Sequence, residues 1–168
     1  MRLLARDPDK VKRTFEPHGL ALDDVVQGDV TDGSAVSEAL GDCDAVLHAA
    51  GLVDLRKSRA KEVFATNVGG MREVVGRAHQ AGIERIVYVS STSVFFQAGG
   101  PPLAPDLPIP DGRNPYSRSK ANAERFVREL QEAGAPIHTT YPTAVLGPDD
   151  PGLSEGNHTI YTFLRELF

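Results

Sequence analysis

The sequence contains no tryptophan and a single cysteine, Cys43. One cysteine excludes an internal disulfide framework and suits a reducing compartment, so a cytoplasmic location is expected. No stretch stays apolar for the roughly 20 residues that a bilayer crossing takes. The N-terminus also lacks the basic-then-apolar pattern of a secretion signal, so no membrane partner is expected. Basic residues are not in excess: 18 Lys and Arg stand against 23 Asp and Glu, a net charge of −5. That excludes a broad nucleic-acid surface, which needs a clustered basic face. It leaves room for a small anionic cofactor, because helix N-termini and local donors bind phosphate whatever the net charge. No metal ligand set is assigned, and neither an internal repeat nor a low-complexity tract is present.

What is there is an ordinary globular balance. The 168 residues are 40% hydrophobic and 24% charged, enough for one domain with a core and too apolar for a disordered chain. Short apolar runs alternate with amphipathic stretches. Arg2–Ala5, Val25–Val26, Ala45–Ala50, Ile83–Val89 and Ile137–Tyr141 read as strands, the fourth being the most β-branched. Asp7-Pro8 opens a turn or short helix, and Thr31 or Asp32 caps a helix to about Leu40. A long helix is predicted over Lys61–Gln80, with Val63, Phe64, Asn67, Met71, Val74, Val75 and Ala78 along one side and Gly82 past its end. Asn114 caps a helix that starts at Pro115, after a Pro/Gly-rich loop from Gly99 to Pro110, and a last amphipathic helix covers Thr159–Phe168. Strands alternating with helices of this length predict βαβ units and a doubly wound parallel α/β sheet. Ligands of such sheets bind beyond the carboxyl ends of the strands.

Three features at those ends carry chemistry. Tyr116 and Lys120, four apart, share a helix face. A lysine ammonium beside a phenol favours the phenolate and suits the tyrosine to acid/base work. Taken alone, the pair also fits a solvated helix start. Ser90-Ser91-Thr92 follows the strongest strand, where a hydroxyl can donate to a substrate oxygen or simply begin a loop. Asn67 is a polar residue on an apolar helix stripe. It can hold a water, fix a backbone bend, or be a satisfied core amide.

The ordered set Asn67, Ser91, Tyr116-x-x-x-Lys120 resembles the Asn-Ser-Tyr-Lys tetrad of the short-chain dehydrogenase/reductases, and specifically their extended branch, the NAD-dependent epimerase/dehydratase family. Four further segments resemble it: Gly28-Asp29-Val30, His48-Ala49-Ala50-Gly51, Asn67-Val68-Gly69-Gly70, and Tyr141-Pro142-Thr143-Ala144-Val145-Leu146-Gly147-Pro148. The resemblance implies a Rossmann-type fold and an NAD(P)-dependent enzyme. It makes Tyr116 the acid/base, Lys120 the ribose-binding lysine that favours the phenolate, Ser91 the holder of the substrate oxygen with Thr92 as fallback, and Asn67 a support of the proton relay. It makes Asp29 and Val30 contacts of the adenine, Ala49, Ala50 and Gly51 the lining of the ribose region, and Pro142 and Thr143 neighbours of the nicotinamide. Arg6 stands where many members carry an acidic residue for the ribose hydroxyls of NAD. With Lys10, Lys12 and Arg13 nearby it favours NADP, NAD remaining the alternative; a solvated basic surface is the plain reading of the same residues.

The sequence departs from the family in several places. No strand with a Gly-x-x-Gly-x-x-Gly turn precedes Arg2, so the domain, residues 1–168, is expected to be a fragment, incomplete at the N-terminus. A gap is expected between the strands at Arg2–Ala5 and Ala45–Ala50, where the absent strand belongs. The smaller substrate domain is largely absent, 149–168 being where it would begin. Tyr141 replaces the usual Arg, and Phe95-Phe96 the usual Tyr-Gly. The resemblance implies a small-molecule alcohol or ketone substrate, flavanonol-like or steroid-like, and a homodimer through the helices at Lys61–Gln80 and Pro115–Ala133. A nucleotide-sugar epimerase or dehydratase with retained NAD is the second reading, and a non-catalytic nucleotide-sensing or partner-binding protein the third.

Overall fold

The computed structural model describes residues 1–20, 22–147, 150 and 154–167. Pro148, which ends the Tyr141–Pro148 segment, and Asp149, 151–153 and Phe168, within the stretch assigned to the start of a substrate domain, lie outside them.

Among the described residues five short strands lie in two sheets, and every pairing within them is parallel. β1 (Leu3–Ala5) pairs with β2 (Val25–Gln27), Leu3 opposite Val25. β3 (Val46–His48), β4 (Ile86–Val89) and β5 (Ile137–Thr140) follow in that order, Ile86 opposite both Val46 and Ile137. A helix fills every crossover: α1 (Pro8–Phe15), α2 (Gly33–Leu40), α3 (60–80) and α4 (Pro115–Glu132), with α5 (Glu155–Leu167) last. This is the α/β pattern the sequence predicts. Among the described residues no strand joins β1 to β3, so each keeps an unpaired edge, and Leu47 on β3 is 67% exposed.

The core lies where α3 and α4 cover the larger sheet. Met71, Val75 and Ala78 of α3 meet Ile86 and Tyr88 of β4 and Ala123 and Val127 of α4. Each buried Met, Val or Ile side chain contributes about 1.5–3 kcal/mol by leaving water. The apolar stripe read from the sequence is the face that is buried, with Phe64 only half-buried. α3 is not a regular α-helix throughout. Ala65–Gly70 and Arg72–Gly76 widen to π-helical bonding between α-helical ends. Gly70 lies in the widened part because a Cβ there would stand 2.6 Å from Val30 Cγ2. The missing side chain lets α3 press onto the loop after β2.

Element ends differ from expectation where glycine or a cap decides. The strand predicted from Ile83 begins at Ile86. Gly82 takes φ +74° and the Ile83 N–H donates to the Ala78 carbonyl at 3.1 Å, so Ile83 closes the helix instead. Asp7 accepts from the Lys10 N–H, which settles the predicted turn or short helix as a two-turn helix. Asp32, rather than Thr31, caps α2.

Candidate functional site

The start of α4 is built to aim Tyr116 and Lys120. Asn114 Oδ1 accepts from the Ser117 N–H (2.9 Å), the Ser117 hydroxyl accepts from the Asn114 N–H (3.3 Å), and Pro115 takes the first helical position. This reciprocal cap fixes the entry angle of the helix. One turn in, Lys120 is buried, its Nζ donating to the Val89 carbonyl at the end of β4 (2.8 Å) and lying 5.1 Å from the centre of the Tyr88 ring. Burial lowers its ammonium pKa to about 8, against the opposing pull of the Glu124 carboxylate. The group remains mostly charged at neutral pH. His48, at the end of β3, stacks on Tyr88 at 6.0 Å. Burial, and secondly the charge of Lys120, lowers its imidazole to about 4, so it is neutral.

Asn67 is buried and fully engaged. Its Oδ1 accepts from the Leu52 N–H (2.7 Å), and its Nδ2 donates to the Leu52 carbonyl (3.0 Å) and to Ser119 Oγ (2.8 Å). The Ser119 hydroxyl donates in turn to the Tyr116 carbonyl at 2.7 Å. The amide thus ties the loop after β3 to the first turn of α4. Ser91 caps the short 3₁₀ turn Thr92–Val94, its hydroxyl accepting from the Ser93 N–H at 3.1 Å. The neighbouring Ser90 hydroxyl is buried without a partner.

The clefts at the carboxyl ends of the strands collect nearly all the residues singled out from the sequence. One, of about 470 Å³, is lined by Ala49, Gly51, Ser91, Tyr116, Lys120, Pro142 and Thr143. A second, of about 210 Å³, is lined by Arg6, Asp29, Val30, Ala50 and Gly51. Gly51 belongs to both. Its absent Cβ would lie 3.4 Å from Asn67 Oδ1 and 4.0 Å from Lys120 Nζ. Asn67 therefore borders the junction and lines neither cleft. Arg6 is exposed, with its guanidinium 3.8 Å from Asp29. The Asp29 carboxylate accepts from the Thr31 N–H and hydroxyl, which hold its pKa below the usual carboxylate value, with a smaller pull from Arg6. A third, apolar cleft of about 390 Å³ adjoins the first through Thr92 and Ser93 and is walled by Phe96, Leu103 and Pro110.

The pattern of the NAD dependent epimerase/dehydratase family matches residues 2–167. The chain belongs to that family. Among curated members it is 35% identical over 114 residues to a 3 beta-hydroxysteroid dehydrogenase/Delta 5-->4-isomerase of Mycobacterium tuberculosis, covering 62% of this chain and 30% of that protein. It is 32% identical over 111 residues to a UDP-glucose 4-epimerase of Neisseria meningitidis, covering 64% and 33%. It is 30% identical over 145 residues to a putative dihydroflavonol 4-reductase of Synechocystis, covering 84% and 42%. The chain thus spans about a third of the length of these family members. In fold it matches the dTDP-glucose 4,6-dehydratase DesIV of Streptomyces venezuelae, solved with NAD and TYD bound, at TM-score 0.74 and 21% identity over 99% of this chain and 63% of that one.

A nicotinamide dinucleotide fits the residues present. Two clefts meet at a glycine and would take one half each, and the buried Lys120 ammonium stands in one of them. Sequence reasoning missed Glu124, which is 0% exposed, and its partners Tyr141 and Arg128. A carboxylate eight residues after Tyr116 on the same helix was the available signal, but only the packing of β5 and the Pro-rich loop gives it a meaning.

Proposed function

We propose that this chain is the cofactor-binding unit of an NAD(P)-dependent oxidoreductase of the extended short-chain dehydrogenase/reductase type, acting on an alcohol or ketone. The observation that carries the reading is the convergence of Tyr116, Lys120 and Ser91 in one cleft that joins a second at Gly51. Lys120 binds the ribose hydroxyls and, through its charge, favours the Tyr116 phenolate. Tyr116 holds or releases a proton at the substrate oxygen, and the Ser91 hydroxyl, with Thr92 as fallback, donates to that oxygen. Asn67 keeps the loop at Leu52 and the backbone at Tyr116 in register through Ser119. When bound, the cofactor supplies or takes up the hydride. Ala49, Ala50, Gly51, Pro142 and Thr143 line its ribose and nicotinamide end, and Asp29 and Val30 its adenine. Arg6, open at the far cleft, is the cation that a 2′-phosphate takes, which favours NADP; NAD is expected instead if Asp29 retains that guanidinium.

The apolar wall of Phe96, Leu103 and Pro110, in the cleft that adjoins the Tyr116 cleft at Thr92 and Ser93, supports a ring alcohol or ketone, while Arg113, Asn114 and Ser117 on the same lining leave room for a polar substituent. The similarity to a UDP-glucose 4-epimerase keeps epimerisation as the second reading. Homodimerisation through α3 and α4 belongs to the first, supported by the half-exposed Phe64, Val68 and Phe126 on those helices. Sedimentation equilibrium showing a monomer at every concentration would remove it.

Calorimetry with NADPH and NADH, on this chain and on Lys120→Ala, tests the core of the proposal. Binding that weakens by about tenfold or more on losing the ammonium is expected, the worth of one charge-assisted contact. No binding of either cofactor sinks it. Oxidation of a 3β-hydroxysteroid with NADP⁺ or NAD⁺, set against epimerisation of UDP-glucose, then separates the two reactions.

A further inference from the structure

The segment 101–112 is poor in its own hydrogen bonds. It carries five prolines, at 101, 102, 105, 108 and 110, which contribute no N–H. Among the described residues the backbone bond it makes within itself is Leu107 N–H to the Ala104 carbonyl. Carbonyls left over in such a segment need donors from elsewhere. Those of Pro105, Leu107 and Ile109, in and just after the turn that this bond closes, accept from side chains of α4. Arg128 Nη2 donates to the Pro105 carbonyl (2.7 Å) and Nη1 to the Leu107 carbonyl (3.0 Å). Arg125 Nη2 donates to the Ile109 carbonyl (3.0 Å) and to Asp111 (2.9 Å). The two arginines are three apart and share a helix face.

Arg128 is itself fixed from the other side. Its Nε donates to Oε1 of the buried Glu124 at 3.4 Å, and the same oxygen accepts the Tyr141 hydroxyl at 2.6 Å. Its guanidinium stands 5.5 Å from the centre of the Phe95 ring, which packs on Tyr141 at 4.9 Å. The same segment supplies Leu103, Pro110 and Gly112 to the apolar cleft, which adjoins the Tyr116 cleft at Thr92 and Ser93.

We infer that Arg128, with Arg125 beside it, is a specificity-positioning residue: anchored by Glu124, it sets the outer wall of the apolar cleft and thereby which ring-shaped substrates reach Tyr116. The inference rests on the catalytic reading for the word substrate; the mooring and the cleft stand on their own. A guanidinium offers a planar fork that serves two carbonyls and a carboxylate at once, which a lysine cannot.

The experiment uses this chain with Leu103→Trp, the single tryptophan in the molecule, as donor to 1-anilinonaphthalene-8-sulfonate, an apolar ring probe. Arg128→Met would strip buried Glu124 of its cation, so Arg128→Lys, which keeps a charge, and Arg125→Met carry the test. Amide hydrogen exchange at Leu107, whose N–H donates to the Ala104 carbonyl, is expected to speed by about tenfold or more in both variants, while the amides of β4 keep their rates. The dissociation constant of the probe, read by energy transfer from the indole, is expected to shift by about fivefold or more, a change near 1 kcal/mol. Unchanged exchange overturns the mooring. Faster exchange with unchanged probe affinity reduces it to a structural tie and overturns the specificity role, as does a probe that draws no energy transfer in the parent chain. NADPH and NADH affinity, measured alongside, is expected to hold within about twofold. Its absence from the parent chain would count against the catalytic reading and leave this inference standing.

Discussion

At the scale of single residues, the site rests on a few buried polar groups whose environments set opposite charge states. The His48 imidazole takes its proton in the unfolded chain near 6.5 but in the folded one only at about 4. Between those values the unfolded state holds more protons, so stability falls as pH drops from about 6.5 to about 4. At about 1.4 kcal/mol per pKa unit this comes to about 3 kcal/mol. His48→Phe keeps a ring against Tyr88 and is expected to flatten that acid limb, as urea unfolding at pH 7 and pH 4.5 would show; an unchanged limb would assign it to other groups. Lys120 works the same way at the alkaline end. Its folded pKa of about 8 lies below the ordinary 10.5, so stability rises from pH 8 to 10.5 while cofactor affinity, which uses the ammonium, falls as pH climbs through 8. Asn67→Ala orphans the Leu52 N–H and carbonyl together and is expected to cost about 3 kcal/mol. A loss under about 1 kcal/mol would mean that this loop is not held by the amide. Tyr116 and Lys120 were legible in the sequence because helical spacing puts positions four apart on one face. The orientation of Ser91 was not, since its hydroxyl turns back onto the Ser93 N–H, a local contact with no trace in residue type.

At the scale of elements, β-strands and helices were legible as apolar runs, and their ends only where a cap declared itself. Asn114-Pro115 is such a case; Asn114→Ala is expected to cost about 1 kcal/mol in thermal unfolding. Ile83 misled because a β-branched apolar residue looks the same in a strand and in a helix-closing turn, and Gly82 at φ +74° decides between them. The π-helical widening of α3 has no sequence periodicity of its own. Its packing contact is testable. Gly70→Ala puts a methyl group 2.6 Å from Val30 Cγ2, and the double variant with Val30→Ala is expected to recover most of the lost stability. If the two losses simply add, the helix and the β2–α2 loop do not press on one another. Arg125 and Arg128 escaped the sequence reading for another reason. Their partners lie 14 to 23 residues away in a loop without periodicity.

At the scale of the whole molecule, the parallel α/β pattern was legible from the alternation of apolar runs with amphipathic stretches. The unpaired edges of β1 and β3 and the exposed Leu47 form a surface that pairs readily with other strands. Leu47→Lys is expected to lower concentration-dependent light scattering of the chain without changing its melting temperature; equal scattering would place self-association elsewhere. Gly51 has a different kind of weight, because it is where the two clefts become one. Half-ligands such as AMP and nicotinamide mononucleotide would each be held weakly. A tether running past Gly51 gives the second half an effective concentration that free solution does not match. On the proposed reading, Gly51→Val, whose Cβ would stand 3.4 Å from Asn67 Oδ1, is expected to cost the joined dinucleotide more affinity than either half, so one hydrogen atom in place of a side chain would let two weak receptors act as one chelating receptor.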